Sequence, residues 1–157
     1  KFRPEATLFD GSHLEKDPKT GGPVVDNFGR CSDPAYFAAG NLLRPVETAG
    51  WSWSEGVAVA RSIEAGLTGK LPAPATQPVT LKGDALSWVV PQRISVPSDG
   101  AHQRFQLRVN RKVKGRLSAR VGGVEYASLS IDTRPERRIS LPLPPTAQPV
   151  EIVLEAK

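Results

Sequence analysis

Phe105-Gln106-Leu107-Arg108-Val109-Asn110 alternates apolar and polar residues, and Leu117-Ser118-Ala119-Arg120-Val121 does so again after one turn. A period of two places successive side chains on opposite faces of a strand, so one face of each segment is predicted to be buried. The predicted inward-facing residues are Phe105, Leu107, Val109, Leu117, Ala119, Val121, Ile139 and Leu141.

Further short apolar segments surround this pair at similar spacing. They are 79–81, 88–90, 126–131, 138–143 and 149–155. Turn residues such as Ser98-Asp99-Gly100 and Gly122-Gly123 stand between them. About seven short strands separated by turns predict an antiparallel β-sandwich over residues 79–157.

The composition is that of a globular chain with many turns: 39% of its 157 residues are hydrophobic, and it contains 15 prolines and 14 glycines. No apolar run approaches the ~18 residues of a membrane-spanning helix, so no membrane span is expected. The single cysteine, Cys31, excludes an intrachain disulfide and a cysteine-rich zinc site. It lies outside any activated motif, so we expect an inert thiol in a reducing, cytoplasmic compartment.

Charge and proline content divide the chain into two predicted units. Residues 1–70 carry eight Lys and Arg against nine Asp and Glu, whereas residues 71–157 carry 13 against seven. The three prolines of Leu71–Pro78 oppose regular structure, so residues 71–78 are predicted to be a linker.

Seven of the basic residues lie between Arg104 and Arg120. They indicate a solvated face or a face that docks onto another subunit or domain, and nucleic acid is not expected because aromatic residues are not interleaved.

Residues 1–70 are predicted to contain one buried strand and one helix. Tyr36-Phe-Ala-Ala-Gly40 is an apolar run without alternation, typical of a strand buried on both faces of a parallel sheet. A helical period begins near Glu47, and its apolar face is Trp53, Gly56, Val57, Ala60, Ile63 and Leu67. A strand and a helix form only half of a βαβ unit. We therefore expect the end of a domain that begins upstream of Lys1, followed by the sandwich.

Asp33-Pro-Ala-Tyr-Phe-Ala-Ala-Gly-Asn41 resembles the late FAD-binding motif of the pyridine nucleotide-disulfide oxidoreductase superfamily, roughly T-x-x-P-x-[VIF]-[YF]-A-x-G-D. Phe2-Arg3-Pro4-Glu5 resembles the segment where such chains re-enter the FAD domain after the NAD(P)H domain. Residues 41–56 look closest to the FAD subunits of hydrogen cyanide synthase and opine oxidase. The resemblance covers about residues 1–70. It implies that residues 1–70 are the C-terminal fragment of a Rossmann-like FAD-binding domain. It also implies the C-terminal part of a flavin-dependent dehydrogenase of a small amine or amino acid, with a partner subunit and with use of NAD(P)H left open.

The resemblance also implies cofactor-binding residues. The residue after A-x-G hydrogen-bonds a ribityl hydroxyl of FAD in this superfamily, and here it is Asn41, next to Gly40, in place of the usual aspartate. The backbone amides near Glu47, Thr48 and Ala49 open the helix that points its N-terminus at the flavin pyrimidine edge. Asn41 has a structural alternative, which is the capping of a turn.

The remaining candidate residues are expected to be structural. His13 and His102 lack metal-ligand spacing and are expected at the surface, so no metal site is predicted. Trp53 is predicted to lie in the core, whereas Trp51 either packs or faces flavin, a partner subunit or the upstream domain.

The chain contains no GxGxxG phosphate-binding turn, so by itself it is expected neither to retain FAD nor to catalyse a reaction. Without an upstream sheet, the apolar helix face would be exposed unless it packs on the sandwich or self-associates, and we favour self-association. The alternative function is a non-catalytic β-sandwich module for binding or subunit assembly.

Overall fold

The computed structural model describes residues 3–45 and 47–157, so the expectations for Phe2 and Val46 lie outside the described residues. The described chain is mainly β, with one α-helix and two sheets. Short 3-10 turns span Thr7–Phe9 and Gly40–Leu42, and helix α1 spans Ala49–Leu67. The strands are β1 (Thr80–Lys82), β2 (Leu86–Val90), β3 (Arg104–Val109), β4 (Val113–Val121), β5 (Val124–Thr133), β6 (Ile139–Pro142) and β7 (Val150–Ala156).

The strands form a sandwich of a four-stranded sheet, in the order β1-β7-β4-β5, and a three-stranded sheet, in the order β2-β3-β6. The strand pairs are antiparallel except β1 with β7, which is parallel and departs from the predicted all-antiparallel arrangement. Phe105, Leu107 and Leu117 are completely buried between the sheets. The predicted inward-facing set is confirmed, with Val121 partly buried at the margin of the core.

Strand β2 is buried on both of its faces. Leu86 and Val89 of β2 face the core of the sandwich, whereas Trp88 and Val90 belong to a second apolar cluster on the other side. The partners in that second cluster are Val25, Cys31, Ala38 and Leu43. The segment that precedes α1 therefore forms a third layer, which covers the outer face of β2.

The strand predicted at Tyr36–Gly40 does not form. Phe37 makes one isolated bridge with Arg30, and Tyr36 is 48% exposed. A strand of a parallel sheet needs parallel neighbours, whereas residues 29–31 pair with this segment in the antiparallel direction. The Cys31 amide donates to the Tyr36 carbonyl and the Ala38 amide donates to the Gly29 carbonyl, both at 2.8 Å. The Rossmann-like assignment of residues 1–70 thus remains an expectation from the resemblance.

Helix α1 forms where the helical period predicts it, but it buries the opposite face. Its buried residues are Glu55, Val59 and Ser62. Trp53, predicted to lie in the core, is 74% exposed, and Leu67 is 85% exposed. The prediction that Trp53 lies in the core was wrong, because the buried ion pair between Glu55 and Arg44 holds the opposite face of the helix inward. An exposed apolar face is the expected result where no upstream sheet covers it.

The predicted linker has no helix or strand, as its prolines imply, and both of its halves are anchored. The carbonyl of Pro72 accepts a hydrogen bond from Arg30 at 2.8 Å, and the amide of Ala75 donates to Oγ of Ser95 at 2.9 Å. The boundaries of the two units stay a prediction.

None of the helical segments in the described residues is long and apolar enough to cross a bilayer.

Candidate functional site

The turn at Gly40 and Asn41 lies directly against helix α1. Gly40 has a φ of +70°, and a Cβ placed on it would lie 3.3 Å from Cβ of Ser52. Its amide donates to Oε2 of Glu55 at 2.6 Å. Asn41 is exposed, and its Oδ1 accepts a hydrogen bond from the Glu47 amide at 2.8 Å. Asn41 therefore caps the turn, and its amide nitrogen adds a hydrogen-bond donor at the surface.

The start of α1 is open and carries no acidic residue in its first turn. Thr48 is the N-cap, and its Oγ1 accepts from the Trp51 amide at 3.4 Å. The Ser52 amide donates to the Thr48 carbonyl, so the amides before it precede the hydrogen-bonded turns and form the positive end of the helix dipole. The Glu47 amide already donates to Asn41. Of the three predicted amides, those of Thr48 and Ala49 can therefore donate hydrogen bonds to a ligand.

The Glu47 carboxylate is buried and is surrounded by three guanidinium groups. Its side chain is 1% exposed. Oε2 lies 2.8 Å from Nη2 of Arg138, and Oε1 lies 3.4 Å from both Nε of Arg44 and Nη2 of Arg108. Arg108 and Arg138 belong to the sandwich. Glu47 thus connects the start of α1 to the three-stranded sheet and cannot itself present a carboxylate to a ligand.

Arg44 is completely buried and joins the two acidic residues of this network. Its two Nη atoms donate to Oε2 and Oε1 of Glu55 at 3.1 and 2.8 Å, while its Nε faces Glu47. Three arginines and two glutamates make the network net positive. A paired, bidentate arginine satisfies its donors in this position, whereas an unpaired one would be strongly destabilising.

His102 is buried beside this network, so its expected surface position was wrong. The residue is 3% exposed, and its Nδ1 lies 3.4 Å from Oε1 of Glu55. Burial lowers the pKa of His102 to about 4 although Glu55 opposes the shift, so the imidazole is neutral near pH 7. His13 lies at the surface as expected and pairs with Asp33 at 2.7 Å. Both histidines are isolated in the sequence, so no local pattern distinguishes buried His102 from exposed His13.

Trp51 and Cys31, the remaining candidate side chains, lie in different surroundings. Trp51 is 40% exposed, and the guanidinium of Arg138 lies 3.7 Å from its ring centroid, which is a cation–π contact. Cys31 is buried, and burial, with a smaller contribution from Asp26, raises its pKa to about 11. The thiol is therefore protonated at neutral pH, as an inert cysteine would be.

The basic segment of residues 104–120 is divided between surface and interior. Three of its arginines form exposed ion pairs, which are Arg111 with Asp84, Arg116 with Glu125 and Arg120 with Glu155. Arg108 instead reaches Glu47 at the base of α1. The three exposed arginines lie on a solvated face, as one of the two predictions stated. Arg108 instead contacts residue 47, in the other predicted unit of the chain.

Comparison of this chain with models of protein families, with characterised proteins and with solved structures gave no match. Within residues 3–45 and 47–157, no three His, Cys, Asp or Glu side chains are grouped so that they could hold a metal ion. Function is therefore inferred from the geometry around α1 and from the resemblance of the motif at residues 33–41.

Proposed function

We propose that this chain is the C-terminal portion of a flavin-dependent oxidoreductase, a dehydrogenase of a small amine or amino acid whose electrons pass through FAD. One structural observation supports the proposal besides the motif. The Gly40-Asn41 turn and the open start of α1 lie side by side, joined by the hydrogen bond from the Glu47 amide to Asn41. These are the two elements to which the resemblance assigns the ribityl and pyrimidine contacts.

The residues at this place fit the cofactor. A positive φ at Gly40 brings the turn close to α1, and the exposed Asn41 amide can hydrogen-bond a ribityl hydroxyl. The amides of Thr48 and Ala49 would face the pyrimidine edge, where the helix dipole favours negative charge. When bound, FAD supplies the redox chemistry. The chain's own residues bind and orient it, and buried Glu47 acts by holding the turn against the helix.

The rest of the cofactor site would come from upstream domains or from a partner subunit. A ribityl contact and one helix terminus cannot replace a pyrophosphate-binding turn, so we expect the isolated chain to retain no FAD. The substrate and the use of NAD(P)H are not specified by these residues.

The absorbance spectrum of the purified full-length protein tests the proposal. We expect the spectrum of an oxidised flavin, and bleaching of that spectrum on addition of the correct amine or amino acid. A full-length protein that stays colourless, even after refolding with excess FAD, would contradict the proposal. An upstream GxGxxG that follows a predicted strand would support it independently.

A second candidate is a non-catalytic β-sandwich module for binding or subunit assembly. The exposed apolar side chains of Trp53 and Leu67 on α1 favour it, because monomeric proteins rarely expose contiguous apolar surface. This function requires a stable complex without flavin. The same spectrum distinguishes the two candidates.

A further inference from the structure

A cleft of about 520 Å³ lies between the N-terminal half of α1 and the outer face of the three-stranded sheet. Trp51 and Glu55 line it from the helix, and His102, Gln106 and Ser140 line it from the sandwich. Clefts of several hundred cubic ångströms commonly hold a small molecule. The size of this cleft therefore admits one small ligand.

Two of the lining residues keep a buried polar atom that has no hydrogen-bond partner among the described residues. These atoms are Nε2 of His102 and Oε1 of Gln106, in side chains that belong to residues 3% and 5% exposed. Buried polar atoms of native proteins nearly always have a partner, which can be a ligand. Two such atoms in the lining of one cleft indicate what a ligand there must supply.

The unpaired atom of His102 is a hydrogen-bond acceptor. Its other ring nitrogen, Nδ1, lies 3.4 Å from Oε1 of Glu55. The Glu55 carboxylate already accepts from the Gly40 amide and from Arg44, so it acts as an acceptor toward the imidazole as well. Nδ1 therefore carries the ring proton, which leaves a lone pair on Nε2.

The unpaired atom of Gln106 is an acceptor as well. Phe105 and Leu107 are completely buried in the core of the sandwich, so the alternation of β3 turns Gln106 to the outer face, beside the cleft. Two hydroxyl groups of the lining are already engaged. Oγ of Ser54 donates to a helix carbonyl, and Oγ of Ser140 accepts from Arg104. A ligand that satisfies Nε2 of His102 and Oε1 of Gln106 must therefore donate hydrogen bonds to these two atoms.

Nearby charges select among possible donors. Arg104 lines the cleft, Arg138 stacks on Trp51, and Arg44 lies behind Glu55. An ammonium group would be repelled by these positive charges. A carboxylate has only acceptor atoms, so it could not donate to His102 and Gln106. Trp51, Ala58 and Ala101 add apolar surface to the lining. We infer that the cleft binds a small neutral molecule that carries a primary carboxamide on an apolar group. Its N–H groups would donate to His102 and Gln106.

Benzamide, benzoate and benzylammonium, titrated separately into this chain and followed by ¹H–¹⁵N NMR, test the inference. The three share a ring and differ in the polar group. We expect benzamide to shift the signals of residues 48–58 and 101–106 and to bind about tenfold tighter than either of the others. Equal binding of the three, no binding of benzamide, or shifts confined to another surface would overturn it.

A pair of matched variants locates the contact. Gln106→Leu removes the buried oxygen and is expected to weaken benzamide binding about tenfold. Gln103→Leu makes the same chemical change at an exposed residue of the cleft and should leave the affinity nearly unchanged. An unaltered affinity of Gln106→Leu would overturn the inference. If circular dichroism shows that this variant does not fold, the ranking of the three probes on the unaltered chain decides.

Discussion

Oε2 of Glu47 lies 2.8 Å from Nη2 of Arg138, and this contact joins the residue before the N-cap of α1 to the residue before β6. Both side chains are largely buried. The helix is therefore positioned by charges that come from the far part of the chain. Several consequences of this arrangement can be measured on the chain itself.

Arg44→Met should be strongly destabilising. The substitution leaves the buried carboxylates of Glu47 and Glu55 without their shared partner, which is expected to cost about 3–5 kcal/mol of unfolding free energy. Urea unfolding measures it. The control is Arg120→Met, which removes an ion pair with exposed Glu155 and should cost less than about 1 kcal/mol. Equal losses in the two variants would show that the buried network does not hold α1.

His102 should make the chain less stable in mild acid. In the folded chain burial lowers the pKa of His102 to about 4, whereas its ordinary value is 6.5. Between these values the unfolded chain binds the proton and the folded chain does not, so stability falls as the pH falls through this window. The loss amounts to roughly 3 kcal/mol over the full window. Chemical unfolding at a series of pH values measures it, and His102→Gln should flatten the slope. An unchanged slope in that variant would assign the acid sensitivity to other groups.

Two glycine-to-alanine substitutions should have effects of opposite sign. A Cβ on Gly56 meets no atom within 4 Å, so alanine there should stabilise α1 by about 0.5–1 kcal/mol. A Cβ on Gly115 would lie 2.2 Å from the carbonyl oxygen of Glu155 in β7, so alanine there should destabilise by about 1–3 kcal/mol. Thermal and urea unfolding measure both. A neutral Gly115→Ala would mean that β4 and β7 are farther apart than in this structure.

The apolar face of α1 should drive self-association of this chain. Its residues are spaced symmetrically about Ala60, with Val57 and Ile63 three residues away and Trp53 and Leu67 seven residues away. An antiparallel two-fold pair about Ala60 would therefore place apolar residues opposite one another. Sedimentation at several concentrations should show a mass that rises with concentration.

A matched pair of variants tests which surface is responsible for association. The double variant Trp53→Gln, Leu67→Gln should remain monomeric. Val124→Gln removes a comparably exposed apolar side chain from β5 and should not alter association. A strictly monomeric parent chain, or a monomer produced only by Val124→Gln, would exclude association through α1.

Asn41→Leu in the full-length protein should weaken retention of FAD. The variant loses the proposed ribityl hydrogen bond, which is expected to lower the affinity about tenfold. Asn41→Asp is the control, because a carboxylate still accepts from the Glu47 amide and restores the usual residue of the motif. Flavin absorbance after gel filtration measures retention. Unchanged retention in Asn41→Leu would leave Asn41 as the cap of a turn only.

Local periodicity was sufficient for the strands, for the inward-facing side chains of β3 and β4, and for the position of α1. Those features depend on neighbours two to four residues away, which a single sequence displays directly. The same reasoning failed at Tyr36–Gly40, because an apolar run without alternation becomes a strand only when a neighbouring strand pairs with it.

Tertiary structure alone decided which face of α1 is buried and where His102 lies. Apolar spacing predicted that Trp53 would face the core, but the buried face is set by Glu55, whose partners Arg44 and His102 are not helical neighbours. Glu47 is likewise neutralised by Arg108 of β3 and by Arg138, the residue before β6, which are both far along the chain. Periodicity describes one element at a time, whereas burial of a charge depends on whether the fold brings opposite charges to it.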